Sequence, residues 1–209
     1  GYSLITVIMG HMAASGDLIA AYTVAGSIDK LSTAGIYGIA NAAAVIVGKE
    51  IGIGSSRENV VRIGKAVCLT AFLFALALGG VELLAFFTLL RPYVLPLFSL
   101  SAGAAAMCAV MVYCYAGVMP LHGFSSTMVV GVLRGGGDVR YAMLCDVGPL
   151  YAVCLPLAAL AALVWKLDIR YVYPLMSIDV IVQIFLCFPR LRSGRWIHDV
   201  TRGAGELEA

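Results

Sequence analysis

The sequence predicts an all-α polytopic membrane protein, on three observations. Of its 209 residues, 61% are hydrophobic and only 12% charged, whereas soluble domains run near 25% charged. Its apolar residues gather into runs long enough to cross a hydrocarbon core about 30 Å thick. The connectors between those runs are strongly basic on alternate sides. The net charge of +2 says little by itself; its distribution along the chain carries the information.

The first apolar run, 2–14, has 13 residues and is too short to span. It ends in the turn-like Ser15-Gly16-Asp17 and reads as the second half of a helix whose first half precedes Gly1. The chain is therefore expected to be a C-terminal piece of a longer protein. The second span, 18–47, holds 30 residues with two formal charges, Asp29 and Lys30. As a helix it is about 45 Å long. A Gly/Ser-rich charged connector follows; it lacks the GxxxxGK[ST] spacing that a phosphate-binding loop needs.

The third span, 63–90, carries Glu82 behind Gly79 and Gly80, about 13 Å from its end at Arg91. Glu82 faces the bundle interior or packs against a neighbouring helix without a transport role; the sequence leaves both open. Arg91-Pro92 through Pro96 is a proline-marked break. The fourth span, 102–132, contains Pro120, which frees a backbone carbonyl and kinks the helix, as well as His122 and the cluster Ser125-Ser126-Thr127. The fifth, 141–164, carries Asp146, Pro149 and Pro156 and ends at Trp165, a residue suited to the interface. The last, 172–188, places Asp179 and Gln183 one turn apart on one face. Residues 1–189 form the transmembrane lobe in this division, and 190–209 a basic, amphipathic tail along anionic headgroups. The six cysteines lie in apolar runs without a CxxC pair and read as free, buried thiols.

Orientation follows from lysine and arginine. Lys49, Arg57, Arg62, Lys65, Arg134, Arg140, Arg190, Arg192, Arg195 and Arg202 fall on one side, and Arg91, Lys166 and Arg170 on the other. Ten against three places the first side in the cytoplasm, so a multi-pass protein of the cell membrane with its C-terminus inside is expected. Topology accounts for the basic tail without any nucleic-acid partner.

The charges at 29 and 30 are the candidate site. Asp29 lies 12 residues past Asp17, about 18 Å along the axis. A charge at that depth costs roughly 2.5 to 3.5 kcal/mol on translocon scales. At helical spacing Asp29 shares a face with Tyr22, Ser32 and Thr33, and Lys30 shares the next with Thr23, Tyr37 and Asn41. Together they predict one wide polar face looking into protein or a water-filled cavity. The structural alternative is a pair neutralised by neighbouring side chains. His122 reads as a proton carrier or a hydrogen-bonded packing residue. Asp179 completes the candidates.

Three stretches resemble the multidrug and toxic compound extrusion (MATE) family, most closely its bacterial branch. They are AAYTVAGSIDKL with GIANAAAVIVGKEIGIGSSRE, then STMVVGVLRGGGDVRYAMLCDVGPLY, then WKLDIRYVYPLMSIDVIVQIFLCFPRLRSGRWIHDVT. The resemblance implies a twelve-helix transporter of two six-helix lobes. This chain would be most of the second lobe, with its first helix truncated. It also implies exchange of Na⁺ or H⁺ for amphipathic, often cationic drugs by rocking of the lobes. The partners implied are the bilayer, small amphipathic substrates and the missing N-terminal lobe, with no cofactor beyond the coupling ion. Asp29 falls where relatives carry an acidic residue in helix eight. The helix-seven acidic residue of many members would fall before Gly1. Span 102–132 has no carboxylate, only His122.

Coupling would follow from competition, because a cationic drug and the coupling ion cannot share one negative site without cost. Desolvation favours the neutral Asp29 carboxyl and the Lys30 cation favours the charged one, so a proton is one candidate ion. Na⁺ is the other, with Asp29, Ser32, Thr33 and a freed carbonyl as oxygen ligands. Two alternatives stand beside the antiporter. A flippase of lipid-linked sugars would need a cationic cavity for pyrophosphate, and Lys30 is the one lysine or arginine placed deep in the membrane rather than at a span end. An intramembrane enzyme would need a nucleophile–base pair or a metal cluster; neither HExxH nor GxSxG occurs, and His11, His122 and His198 are scattered.

Overall fold

The structure is a computed structural model that describes residues 15–94, 96, 100–167 and 169–198. The short run at 2–14 lies outside the described residues. The remaining five expected spans each correspond to a helical stretch long and apolar enough to cross a membrane, the last of them interrupted by a turn: Gly16–Gly52, Arg57–Tyr93, Ala102–Arg134, Val139–Ala162 and Tyr171–Ser193. No strand occurs among the described residues.

Helix α1 (Ser15–Gly52) is unbroken over 38 residues. Helix α2 begins at Arg57, where Ser56 caps it by accepting from the Asn59 amide, and runs to Ala85. It continues in wider π geometry over Phe86–Val94, which contains Pro92. Helix α3 (Ala102–Ser126) starts on a Ser101 cap, whose hydroxyl accepts from the Ala104 amide at 3.0 Å, and also ends in a π stretch, Thr127–Arg134. Helix α4 (Val139–Pro149) alternates onward through Leu150–Cys154, Leu155–Ala159 and Leu160–Val164. Prolines 149 and 156 each remove an i→i−4 donor, and widened turns are the usual response.

The last expected span is two helices, α5 (Ile169–Leu175) and α6 (Ile178–Ser193). Pro174 cannot sustain the ladder. The chain turns at Met176 and Ser177, whose amides bond back to the Val172 and Pro174 carbonyls.

Small residues set the helix crossings. A Cβ added to Gly79 of α2 would lie 2.9 Å from the Ala116 carbonyl oxygen of α3. That is the carbonyl Pro120 leaves without its i+4 amide. Gly123 of α3 presses on Ala71 and Ala75 of α2 in the same way. On the other side of α3, a Cβ at Gly131 would be 2.9 Å from both the Ala40 oxygen and the Ala43 Cβ of α1, and Gly135 sits on Ala44. Lipid chains are as apolar as leucine, so membrane helices associate through such close backbone approaches.

At the basic end, α6 extends to Ser193, past the boundary expected at 190. Residues 194–198 then fold back on the glycines after α3. Trp196 is fully buried, its indole N–H donating to the Leu191 carbonyl at 3.1 Å. A Cβ on Gly136 would collide with the Trp196 ring. Gly137, with φ of 91°, pairs with Ile197, and the His198 amide bonds the Gly136 carbonyl at 2.8 Å. Arg190 bonds Asp138 at 2.8 Å. This part of the expected headgroup-lying tail is protein-packed, because the glycines leave room for the indole body and the Leu191 carbonyl satisfies its N–H.

If the Gly131 crossing holds α1 to α3, Gly131→Leu will lower the melting temperature of the detergent-purified protein by an amount corresponding to about 1 to 3 kcal/mol. Gly38→Ala, which meets open space, will leave it nearly unchanged.

Candidate functional site: a buried carboxylate pair

Asp29 of α1 and Glu82 of α2 come together inside the bundle. The Asp29 carboxylate accepts a long bond from the Tyr173 hydroxyl of α5, 3.5 Å to Oδ2. Ser32, one turn further along α1, donates to Glu82 Oε2 at 2.5 Å. Glu82 is 6% exposed and close enough for its charge to act on Asp29. Both acids keep one buried oxygen without a partner, Asp29 Oδ1 and Glu82 Oε1. Thr127 Oγ1 is the other such atom among the described residues. Around the pair, Thr33 Oγ1 and the Tyr115 hydroxyl of α3 are 2.6 Å apart.

This arrangement has a plain chemical consequence. Buried polar atoms are normally bonded, and adjacent carboxylates cannot both stay charged in a low dielectric without a cation between them. A proton or a desolvated metal cation would give an orphaned oxygen the partner that the surrounding side chains do not supply. No group of three or more His, Cys, Asp or Glu side chains stands together as metal ligands among the described residues. The donor set here is two carboxylates with hydroxyls, which suits a proton or a hard monovalent cation.

The wide polar face expected on α1 is in fact two faces. Ser32 and Thr33 turn inward with Asp29, whereas Thr23, Lys30, Tyr37 and Asn41 are exposed. The reason is helical: successive residues are rotated by about 100°. Positions 29, 32 and 33 therefore cluster on one side, and positions 23, 30, 37 and 41 on a stripe a quarter-turn away. The structure does not bring Lys30, Tyr37 or Asn41 to the carboxylates.

His122 belongs to a second polar group. Its Nδ1 lies 3.2 Å from the Ser126 hydroxyl, and its ring centroid is 6.2 Å from that of Tyr115. Neighbouring Ser125 donates to Gln183 Oε1. Gln183 in turn donates to Asp146 at 3.3 Å, and Asp146 pairs with Arg134 at 2.9 Å. Tyr115 thus touches both groups, through its hydroxyl and through its ring. Asp179 serves locally: its Oδ1 accepts from the Val180 amide at 2.8 Å, at a helix start where a carboxylate is favoured. All six cysteines are free thiols, five of them buried.

Glu82 was visible in the sequence as a charge in an apolar helix, but its partner was not. Tyr115 and Tyr173 carried no signal, since a membrane tyrosine reads first as an interface residue. No family model matches the chain, and neither a curated protein nor a solved structure matches it.

Ser32→Ala removes a hydrogen bond to a charged group and is expected to cost about 1.5 to 3 kcal/mol in denaturation of the purified protein. Glu82→Gln keeps an acceptor for Ser32 and removes the like charge beside Asp29, so it will be stabilising or neutral at pH 7. A large loss of stability in Glu82→Gln would show that the second carboxylate is held by a cation the amide cannot bind.

Proposed function

We propose that this chain is a helical lobe of a cation-coupled antiporter, of the MATE type its motifs resemble, that exports amphipathic and often cationic compounds. The observation that carries the proposal is the Asp29–Glu82 pair, two intramembrane carboxylates with one orphaned oxygen each. Acidic residues at such depth belong by default to ion or substrate pathways. The pair prefers one bound cation, H⁺ or Na⁺. A cationic substrate entering the same field competes with it, and that competition ties the two fluxes together. Alternating access then needs a second lobe against which this one rocks. The helix ends bearing most of the lysine and arginine, with the C-terminus, face the cytoplasm of the cell membrane in this proposal.

A flippase of lipid-linked anions is the second possibility. The observation favouring it is Lys30, exposed on the outer stripe of α1, where it could meet a pyrophosphate.

In proteoliposomes containing the intact protein, efflux of a fluorescent cationic dye should follow an imposed pH or Na⁺ gradient. Asp29→Asn and Glu82→Gln should each reduce gradient-driven efflux tenfold or more while leaving dye binding measurable. Unchanged efflux in both variants would remove the pair from coupling. Absence of efflux under either gradient would turn attention to lipid-linked anions, with Lys30→Gln as the variant to assay.

A further inference from the structure

A cavity of about 660 Å³ opens at the basic end of the molecule, between the first two turns of α2 and the last turn of α6. Arg57, Arg62 and Lys65 line it from α2 and Arg192 from α6, with Glu58 as the one acid and Val61 as apolar lining. The cations come from segments more than 120 residues apart in sequence. The turn after α6 holds them together. Gly194 adopts a φ of 68°, and a Cβ there would stand 2.8 Å from Arg57 Nε. The Arg57 guanidinium also reaches the Ser193 carbonyl at 3.4 Å.

Among the described residues, four cations against one carboxylate is a large imbalance for one cavity. The ion pairs among the described residues, Arg134–Asp146 and Arg190–Asp138, lie elsewhere. Arg62 donates to the neutral Asn59 side chain at 2.8 Å and makes no ion pair among the described residues. Like charges gathered at a cleft attract an anion, and arginines arranged around a concavity suit phosphate oxygens.

What lies beside the cavity tells which phosphate. On α2 the row Arg62, Lys65 continues at helical spacing into Leu69 and Leu73, 58% and 56% exposed. On α6 the row from Arg192 continues into Phe188 and Phe185, 46% and 76% exposed. Each charged row passes directly into an apolar row pointing away from the protein. A soluble phosphate would use only the first half of that surface, whereas a lipid uses both.

We infer that the cavity between α2 and α6 binds the headgroup of an anionic phospholipid, its phosphate among Arg57, Arg62, Lys65 and Arg192 and its acyl chains along Leu69–Leu73 and Phe185–Phe188. Basic pockets between membrane helices on the cytoplasmic side commonly hold such headgroups. The occupied site ties α6 to α2 at the end where Trp196 also anchors the fold. The inference does not depend on antiport.

The test compares retention of dioleoylphosphatidylglycerol and dioleoylphosphatidylcholine by the intact detergent-purified protein, using native mass spectrometry and lipid-dependent thermal stabilisation. Lys65→Gln with Arg192→Gln is compared with Lys49→Gln with Arg140→Gln, a pair on the same end that removes the same charge outside the cavity. Melting without added lipid and circular dichroism confirm that each protein is folded; the single variant Lys65→Gln serves if the double variant is not. Phosphatidylglycerol should be retained over phosphatidylcholine, and the cavity pair should weaken that affinity about thirtyfold, with little effect from the control pair. Equal retention of the two lipids, or an equal loss in the control pair, would overturn the site in favour of a diffuse surface field. Displacement of phosphatidylglycerol by millimolar inorganic phosphate or glycerol phosphate would overturn the lipid assignment and leave a soluble phosphate as ligand.

Discussion

The rest of the structure depends on the way α3 is gripped from both sides. Gly123 meets α2, and Gly131 and Gly135 meet α1, each so closely that a methyl group would touch a neighbouring backbone oxygen or alanine. Between apolar helices in lipid there is little hydrophobic gain in association, and attraction must come from contact at short range. The glycines supply that contact by omitting side chains. Proline contributes as well: the Ala116 carbonyl released by Pro120 is the one on which Gly79 sits. A kink that would weaken an isolated helix here exposes a polar group directly against a neighbouring backbone.

Because α1 and α2 both lie against α3, their polar residues are forced into one another's company. Ser32 reaches Glu82, and Thr33 reaches Tyr115. Asp29 accepts a long bond from Tyr173, and its other oxygen has no partner among the described residues. The result is a carboxylate pair that the surrounding side chains satisfy only in part. A purely structural network gains nothing by leaving two buried oxygens unbonded, since each costs stability. A site that must load and release a cation needs that incompleteness, because full satisfaction by protein donors would leave no affinity for the ion. This supports the proposed role of the pair more strongly than burial does.

The two ends of the molecule differ in the same physical terms. The basic end closes on itself: Trp196 fills the space that Gly64 and Gly136 leave, and Arg190 neutralises Asp138. Close packing there leaves Arg57, Arg62, Lys65 and Arg192 gathered around a single acid among the described residues, Glu58. Beyond this plug a polar chain runs inward from exposed Asp146 through Gln183 to buried Ser125, and His122 nearby packs on Tyr115 beside the carboxylates.

Composition and run length alone determined that the chain is helical and apolar enough to cross a membrane several times. They also placed each of the five described spans, because hydrocarbon thickness and the need to satisfy backbone groups leave few other solutions. Asp29 stood out for the same reason, as a charge where charge is expensive. Which residues would join it was not legible. Helical spacing could say that Asp29, Ser32 and Thr33 share one face and Lys30, Tyr37 and Asn41 another, but not which face would be buried. That choice belongs to the glycine contacts of α3, made between residues some 90 positions apart. Only the tertiary structure therefore paired Asp29 with Glu82, left Lys30 outside and turned part of the basic tail into core. Each of those outcomes depends on distance between helices, which one-dimensional periodicity does not contain.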